Sequence, residues 1–135
     1  MGYEFLNCYR RDQDSQLAKN QSTDLFNNFC DLVVKHYRES REVKFYADQL
    51  GISPKHLSKV VHTVTNGLSP VKWIEQYVVA QAKRLIEAKA TQTLQETAFM
   101  LGFSESTSFY RYFKRATGMT AKEYRNLLMT DEETL

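Results

Sequence analysis

The chain of 135 residues is poor in the residues that interrupt helices, with two prolines and five glycines. It has no long hydrophobic run. Its apolar runs are only a few residues long, as at Tyr77–Ala80 and Leu127–Met129. Roughly 20 apolar residues are needed to cross a bilayer. The amino terminus has no basic segment followed by an apolar one, which argues against a signal peptide. We therefore expect a cytoplasmic protein with no membrane partner.

Residues suited to metal binding or catalysis are also scarce. The two cysteines, Cys8 and Cys30, lack a CxxC spacing and a histidine partner, so we expect reduced thiols and no disulfide framework. The histidines His36, His56 and His62 are scattered, with no carboxylate or cysteine arrangement for metal or nucleophilic chemistry. No glycine-rich phosphate loop is present. The sequence predicts no catalytic residue, no metal site and no cofactor.

The net charge of +2 is unevenly distributed. Residues 1–41 carry six basic and six acidic residues, residues 42–130 carry twelve and seven, and residues 131–135 carry three acidic residues and no basic one. A basic middle segment suits a surface that binds a polyanion, although this charge is also common on solvated faces. Charge alone is therefore weak evidence for a nucleic-acid partner.

Apolar residues recur three and four positions apart over most of the length, which predicts an all-α fold. A first helix is predicted over residues 24–39, behind candidate capping residues at positions 22–24. Its inner face is Leu25, Phe29, Leu32, Val33 and Tyr37. Ahead of it, residues 3–11 are a short amphipathic piece and residues 12–21 a polar stretch typical of a linker.

An internal repeat appears when the chain is compared with itself at an offset of 51 residues. Gly51 then coincides with Gly102, and Gly67 with Gly118. Between these pairs the best offset is 52, which predicts that the first copy lacks one residue early in its second helix and has one extra in the following turn. Each copy has the pattern apolar-x3-Ala-x2-Leu-Gly-[Ile/Phe]-Ser before an amphipathic stretch. This pattern indicates two helix-turn-helix units, at about residues 43–64 and about residues 94–116.

In each copy the alanine lets two helices approach closely, the glycine ends the first helix in a left-handed conformation, and the next residue anchors the turn. These residues are Ala47, Gly51 and Ile52 in the first copy and Ala98, Gly102 and Phe103 in the second. Ser53 and Ser104 are predicted to cap the second helices. Capping boxes begin at Thr93 and Thr120.

A connecting helix is predicted between the copies. Ser69 would cap it and Pro70 would open it, and it would run to about Lys89, a length of roughly 28 to 30 Å. Major grooves on one face of a duplex recur about every 34 Å. A rigid helix of this size could therefore set the spacing of two DNA-reading helices. We expect Trp73, Tyr77 and Tyr124 to pack in the core rather than to stack on bases.

The second helix of each copy has an apolar face and a face of hydrogen-bond donors. The inner residues are Leu57, Val60, Val61 and Val64 in the first copy, and Phe109, Phe113 and Ala116 in the second. The outer residues are Lys55, Ser58, Lys59 and His62 in the first, and Ser106, Thr107, Tyr110, Arg111 and Lys114 in the second. One such helix is most simply a solvated amphipathic helix, but two in the same register favour DNA recognition.

The second copy reads Ala98-x2-Leu101-Gly102-Phe103-x5-Phe109-x3-Phe113-Lys114-x3-Gly118-x5-Tyr124-Arg125, and the first Ala47-x2-Leu50-Gly51-Ile52-Ser53-x3-Leu57, followed by Ser69-Pro70-x2-Trp73-Ile74. Over residues 40–128 they resemble the DNA-binding domain of the arabinose-regulator (AraC/XylS) family of bacterial transcription factors. Ala121 stands where that family usually has proline, and the turn at residues 65–68 is one residue longer.

The resemblance implies seven helices in two helix-turn-helix subdomains joined by a long helix. It implies base contacts from Lys55, Ser58, Lys59, Ser106, Thr107 and Arg111, and contacts to the DNA backbone from Lys114 and Arg115. We add His56, His62 and Tyr110 to the backbone contacts. Residues 1–22 would be a linker or the end of an upstream regulatory domain, and residues 23–135 the DNA-binding domain.

The resemblance also implies partners. Double-stranded DNA is the main one, RNA polymerase is a candidate protein partner, and a longer protein would carry an upstream sensor or dimerisation domain. The sequence predicts a sequence-specific transcription regulator that places two recognition helices in successive major grooves. The alternative is a helical protein-interaction module whose donor faces bind an acidic partner. An enzyme is not expected.

Overall fold

The computed structural model describes residues 17–88 and 93–134. Within these ranges the chain forms seven helices and no strand, which confirms the all-α prediction. In chain order they are α1 (Leu17–His36), α2 (Val43–Leu50), α3 (Pro54–Thr65), α4 (Pro70–Glu87), α5 (Leu94–Met100), α6 (Ser106–Thr117) and α7 (Ala121–Thr134). The amphipathic piece predicted at residues 3–11 lies outside the described residues.

The chain divides into two compact units within α4, the first ending at Tyr77 and the second beginning at Val78. The first unit contains α1, α2, α3 and the first part of α4. The second contains the rest of α4 and α5, α6 and α7. Each unit therefore holds one of the two helix-turn-helix segments.

The first helix differs from its prediction at both ends. It begins at Leu17, so the linker predicted up to residue 21 is wrong for residues 17–21, and the domain boundary expected after residue 22 falls inside α1. This stretch contains leucine, alanine, lysine and glutamine, which favour helix. The helix ends at His36, whose carbonyl accepts the backbone N–H groups of Glu39 and Ser40 at 2.8 and 3.1 Å.

The core of the first unit is an aromatic cluster beneath α1. The rings of Phe26 and Phe29 lie 6.0 and 5.5 Å from that of Trp73 on α4. Phe29 also meets the ring of Tyr46 on α2 at 5.8 Å. Burial of these large side chains is what holds α1 on the first helix-turn-helix unit.

The inner face predicted for the first helix is confirmed for Phe29, Val33 and Tyr37, but it differs at its edges. Phe26 and Cys30 are buried, whereas Leu25 and Leu32 are only half-buried. Cys30 is a free thiol, and burial raises its pKa well above the ordinary value, so it is a neutral packing residue. The other cysteine lies outside the described residues.

Most helix starts are capped as predicted. Ser53 accepts the N–H of His56 at 3.0 Å, Ser69 that of Lys72 at 3.2 Å, and Thr93 that of Glu96 at 3.1 Å. At α7 the capping box is reciprocal: Thr120 accepts from the N–H of Glu123 at 3.0 Å and donates its own N–H to that carboxylate at 2.8 Å. The backbone N–H of Thr120 lowers the pKa of Glu123.

The predicted cap at Ser104 is wrong. Glu105 is the residue before α6, and its side chain makes no capping hydrogen bond. The second copy has one more residue in the turn, so Ser104 stands one position too early to cap. Both second helices have 12 residues, and the change of offset lies in the turn before α6 rather than inside a helix.

The connecting helix α4 has 18 residues and ends at Glu87, slightly before the predicted Lys89. The N–H of Ala88 still donates to the carbonyl of Arg84 at 3.0 Å. Residues 89–92, including Lys89, lie outside the described residues.

The core of the second unit includes an aromatic cluster on α6 and the turn before it. The ring of Phe109 lies 5.5 Å from that of Phe103 and 5.9 Å from that of Phe113. Leu101 and Ala98 are fully buried as well. Phe103 thus anchors the turn as predicted, whereas Ile52 at the corresponding place is only half-buried.

Candidate nucleic-acid interface

The turn of each helix-turn-helix unit is closed by the same hydrogen bonds. The N–H of Ile52 donates to the carbonyl of Ala47 at 3.1 Å, and that of Phe103 to the carbonyl of Ala98 at 3.0 Å. Both alanines are fully buried. The repeat seen in the sequence is therefore a repeat of backbone structure.

Glycine is required at this turn because the backbone is left-handed there. Gly51 has φ 69° and Gly102 has φ 91°, which confirms the prediction for both copies. This conformation directs the chain from the first helix of each unit into the second. The turn geometry thus positions α3 and α6, the two candidate recognition helices.

Helix α3 presents its predicted donors to solvent. Leu57, Val60 and Val61 are buried, and Val64 is half-buried. The opposite face is exposed, and it carries Lys55, His56, Ser58, Lys59 and His62. The packing of the inner face fixes which side chains can reach a partner.

Helix α6 is arranged in the same way. Phe109 and Phe113 are buried, and Ala116 is half-buried. The other side of the helix carries Thr107, Arg111, Lys114 and Arg115, which are exposed, and Ser106 and Tyr110, which are half-buried. The predicted inner and outer faces of α6 are therefore confirmed.

Neither recognition helix contains an acidic residue, although the chain has 16 of them. In the part of the chain that the structure describes, neither Lys59 nor Arg111 makes an ion pair or a side-chain hydrogen bond. Their charges are available to an external anion. Two helices that carry donors and no carboxylate suit phosphates and the acceptor-rich edge of guanine.

Two features of this region were missed by the sequence reasoning. The guanidinium of Arg115 lies 5.3 Å from the centre of the Tyr112 ring. Tyr112 precedes Arg115 by one helical turn, so the sequence spacing could have predicted this contact. The hydroxyl of Tyr124 donates to the carboxylate of Glu87. These two residues lie 37 positions apart, and no local pattern signals their contact.

The three aromatic residues assigned to the core have different surroundings. Trp73 is buried, in agreement with the prediction, whereas Tyr77 and Tyr124 are half-buried. The rings of Trp73 and Tyr77 are stacked at 6.0 Å. Burial, reinforced by the hydrogen bond to Glu87, raises the pKa of Tyr124 to about 12.

Residues 17–88 and 93–134 contain no cluster of three or more His, Cys, Asp or Glu side chains that could hold a metal ion. In the same ranges, no helix combines the length and the apolar character that crossing a membrane requires.

Residues 46–127 match the family described as a helix-turn-helix domain, which covers more than half of the chain. The chain belongs to this family, the AraC-type helix-turn-helix family of DNA-binding transcription regulators. It is 30% identical over 123 residues to the bifunctional transcriptional activator/DNA repair enzyme Ada of Escherichia coli, and the match covers 90% of this chain and 33% of that protein. The chain thus spans about a third of the length of that curated relative.

Solved structures show the same fold. The C-terminal domain of AraT, a response regulator from Geobacillus stearothermophilus, has a TM-score of 0.68 at 20% identity, covering 76% of this chain and 84% of that one. The DNA-binding domain of AdpA, a global transcriptional factor solved in complex with a target DNA, has a TM-score of 0.66 at 22% identity, covering 79% and 94%.

Proposed function

We propose that this chain is the sequence-specific DNA-binding part of a transcription regulator, and that it places α3 and α6 in successive major grooves of one duplex. The observation that carries the proposal is the repeated donor face. Two helices of equal length, each following the same glycine turn, expose basic and hydroxyl side chains and contain no carboxylate. A surface that binds an acidic protein would not require donors at equivalent positions of two helices.

Six side chains are proposed to read base edges. Arg111, Lys55 and Lys59 donate to guanine, with the planar guanidinium of Arg111 suited to a bidentate contact. The other three residues contribute hydroxyl groups, which meet either base edges or phosphate. These three are Ser58, Ser106 and Thr107.

Five further polar residues of the two helices are proposed to hold the DNA backbone. They are His56, His62, Tyr110, Lys114 and Arg115. Stacking on Tyr112 limits the motion of Arg115, which lowers the entropy lost when that side chain meets a phosphate. Backbone contacts fix the register in which the base-reading residues meet the duplex.

The length of α4 supports a binding site that spans two grooves. Its 18 residues correspond to about 27 Å at about 1.5 Å per residue. Since major grooves on one face recur about every 34 Å, one molecule would read an asymmetric site without a palindrome.

We propose further that this segment is not itself an enzyme and that it acts in the cytoplasm. The relative that carries both a regulator and a repair activity is about three times as long as the part matched. An upstream sensor or dimerisation domain in a longer protein, and contact with RNA polymerase, belong to the same proposal.

The proposal is tested by selecting bound sequences from a random duplex library and measuring affinity for the selected duplex and a scrambled duplex at several salt concentrations. We expect a defined two-part site and a clear preference for it. Affinity for both duplexes should fall steeply with salt, because the basic side chains displace counterions. Enrichment of no sequence, or binding that does not change with salt, would contradict the proposal.

A further inference from the structure

Tyr124 of α7 lies between the end of α4 and the inner face of the second recognition helix. Its hydroxyl donates a hydrogen bond to the carboxylate of Glu87, in the last turn of α4. Its ring lies 5.8 Å from the ring of Phe113, which is fully buried on α6. Three helices of the second unit therefore meet at this one side chain.

Helix α4 contacts the same ring a second time. The ammonium group of Lys83 lies 5.4 Å from the centre of the Tyr124 ring. Lys83 is one helical turn before Glu87, so α4 engages both the face of the ring and its hydroxyl. Because the pKa of Tyr124 is about 12, the hydroxyl remains a donor at neutral pH.

Packing alone does not account for the hydroxyl. A phenylalanine could make the same ring contact with Phe113, whereas only a donor can bind Glu87. A hydrogen bond is directional, so an acceptor oxygen at position 87 holds the hydroxyl in one direction. It therefore fixes the ring in one orientation, and the ring in turn supports the buried face of α6.

We infer that Tyr124 is a positioning residue for the second recognition helix: its contacts with Glu87 and Phe113 fix the rotation of α6 about its own axis. Phe113 and Arg111 project from different faces of α6, so this rotation determines the direction in which Arg111 points. The inference rests on the proposed function, since it concerns how the base-reading face is aimed.

The test compares Tyr124→Phe, which keeps the ring, with Glu87→Gln, which keeps an acceptor oxygen. The measured quantity is the ratio of affinities for the selected and scrambled duplexes, at a temperature at which every variant is folded. We expect Tyr124→Phe to lower this ratio about three- to tenfold, the range that one hydrogen bond covers. Glu87→Gln should keep the ratio close to that of the wild type.

A control separates positioning from stability. Thr97→Val removes the hydrogen bond that the buried hydroxyl of Thr97, on α5, donates to the carbonyl of Thr93. It should lower the melting temperature and leave the ratio unchanged. If Tyr124→Phe behaves in the same way, Tyr124 is only a structural residue and the inference is wrong.

A second measurement does not depend on DNA. The amide NMR signals of α6 should move in Tyr124→Phe and stay near their wild-type positions in Glu87→Gln. Unchanged α6 signals in Tyr124→Phe would overturn the inference. If the wild type shows no preference for any duplex, the proposed function fails, and the NMR comparison alone then decides whether Tyr124 orients α6.

Discussion

Thr65 and Thr117 make equivalent hydrogen bonds at the ends of the two recognition helices. Thr65 donates to the carbonyl of Val61 at 2.6 Å, and Thr117 to that of Phe113 at 2.8 Å. Each hydroxyl also accepts a backbone N–H from the turn that follows, at 3.0 Å in the first copy and 3.2 Å in the second. The two turns differ in length, yet the same side chain fastens both to the preceding helix.

We expect Thr65→Val to lower the free energy of unfolding by about 1 to 2 kcal/mol, because the isosteric side chain removes hydrogen bonds within the protein. Denaturant unfolding measures the change. Thr63→Val is the matched control, since Thr63 lies on the exposed surface of the same helix. Equal effects of the two substitutions would show that the hydrogen bonds of Thr65 contribute nothing.

The left-handed turn gives a second prediction. A Cβ atom added at Gly51 would meet no other atom, so Gly51→Ala tests backbone conformation alone. The substitution should cost about 1 to 2 kcal/mol of stability, the strain of a left-handed L-residue. Asn66 also has a positive φ, of 62°, and Asn66→Gly should cause no loss. A Gly51→Ala protein as stable as the wild type would contradict the left-handed conformation of Gly51.

The core of the second unit gives a third prediction. Phe113→Ala should lower the free energy of unfolding by about 3 to 5 kcal/mol, because it removes a fully buried aromatic ring and leaves a cavity. Ser108→Ala, on the exposed surface of the same helix, should change it little. Thermal melting distinguishes the two. An unchanged melting temperature for Phe113→Ala would mean that the faces of α6 are reversed.

The sequence was sufficient for the features that local chemistry determines. The glycine turns, the caps at Ser53 and Thr93, and the faces of α6 follow from residue type and helical spacing. The cap predicted at Ser104 was wrong because the change of offset could be placed on either side of the helix start. The start of α1 was missed because polar residues at its amino end also suit a linker.

The candidate site was predictable only in part. The outer residues of α3 and α6 were found because the inner faces are plainly apolar. The contact between Tyr124 and Glu87 was not predicted from the sequence, since it depends on how α7 packs against α4. A pattern in one helix carries no information about a partner on another helix.

The raised pKa of Tyr124 predicts a pH dependence. The neutral phenol is favoured in the folded state, so its contribution to stability is present below about pH 10, the ordinary pKa of tyrosine, and is lost as the pH rises towards 12. We expect the wild type to lose more stability between pH 10 and 12 than Tyr124→Phe does. Absorbance of tyrosinate should show one late-titrating group fewer in Tyr124→Phe than in the wild type. If the wild type and Tyr124→Phe lose the same stability between pH 10 and 12, the pKa of Tyr124 is not raised in the folded state.

The central claim is that α6 reads sequence through Arg111. Arg111→Ala should cost about 1 to 3 kcal/mol on the selected duplex and much less on the scrambled one. Lys114→Ala should weaken both equally and reduce the salt slope by about 1. Arg84→Ala removes the same charge as Arg111→Ala from the exposed surface of α4, and it should leave the preference unchanged. An Arg111→Ala protein that loses equal affinity for both duplexes would contradict the claim.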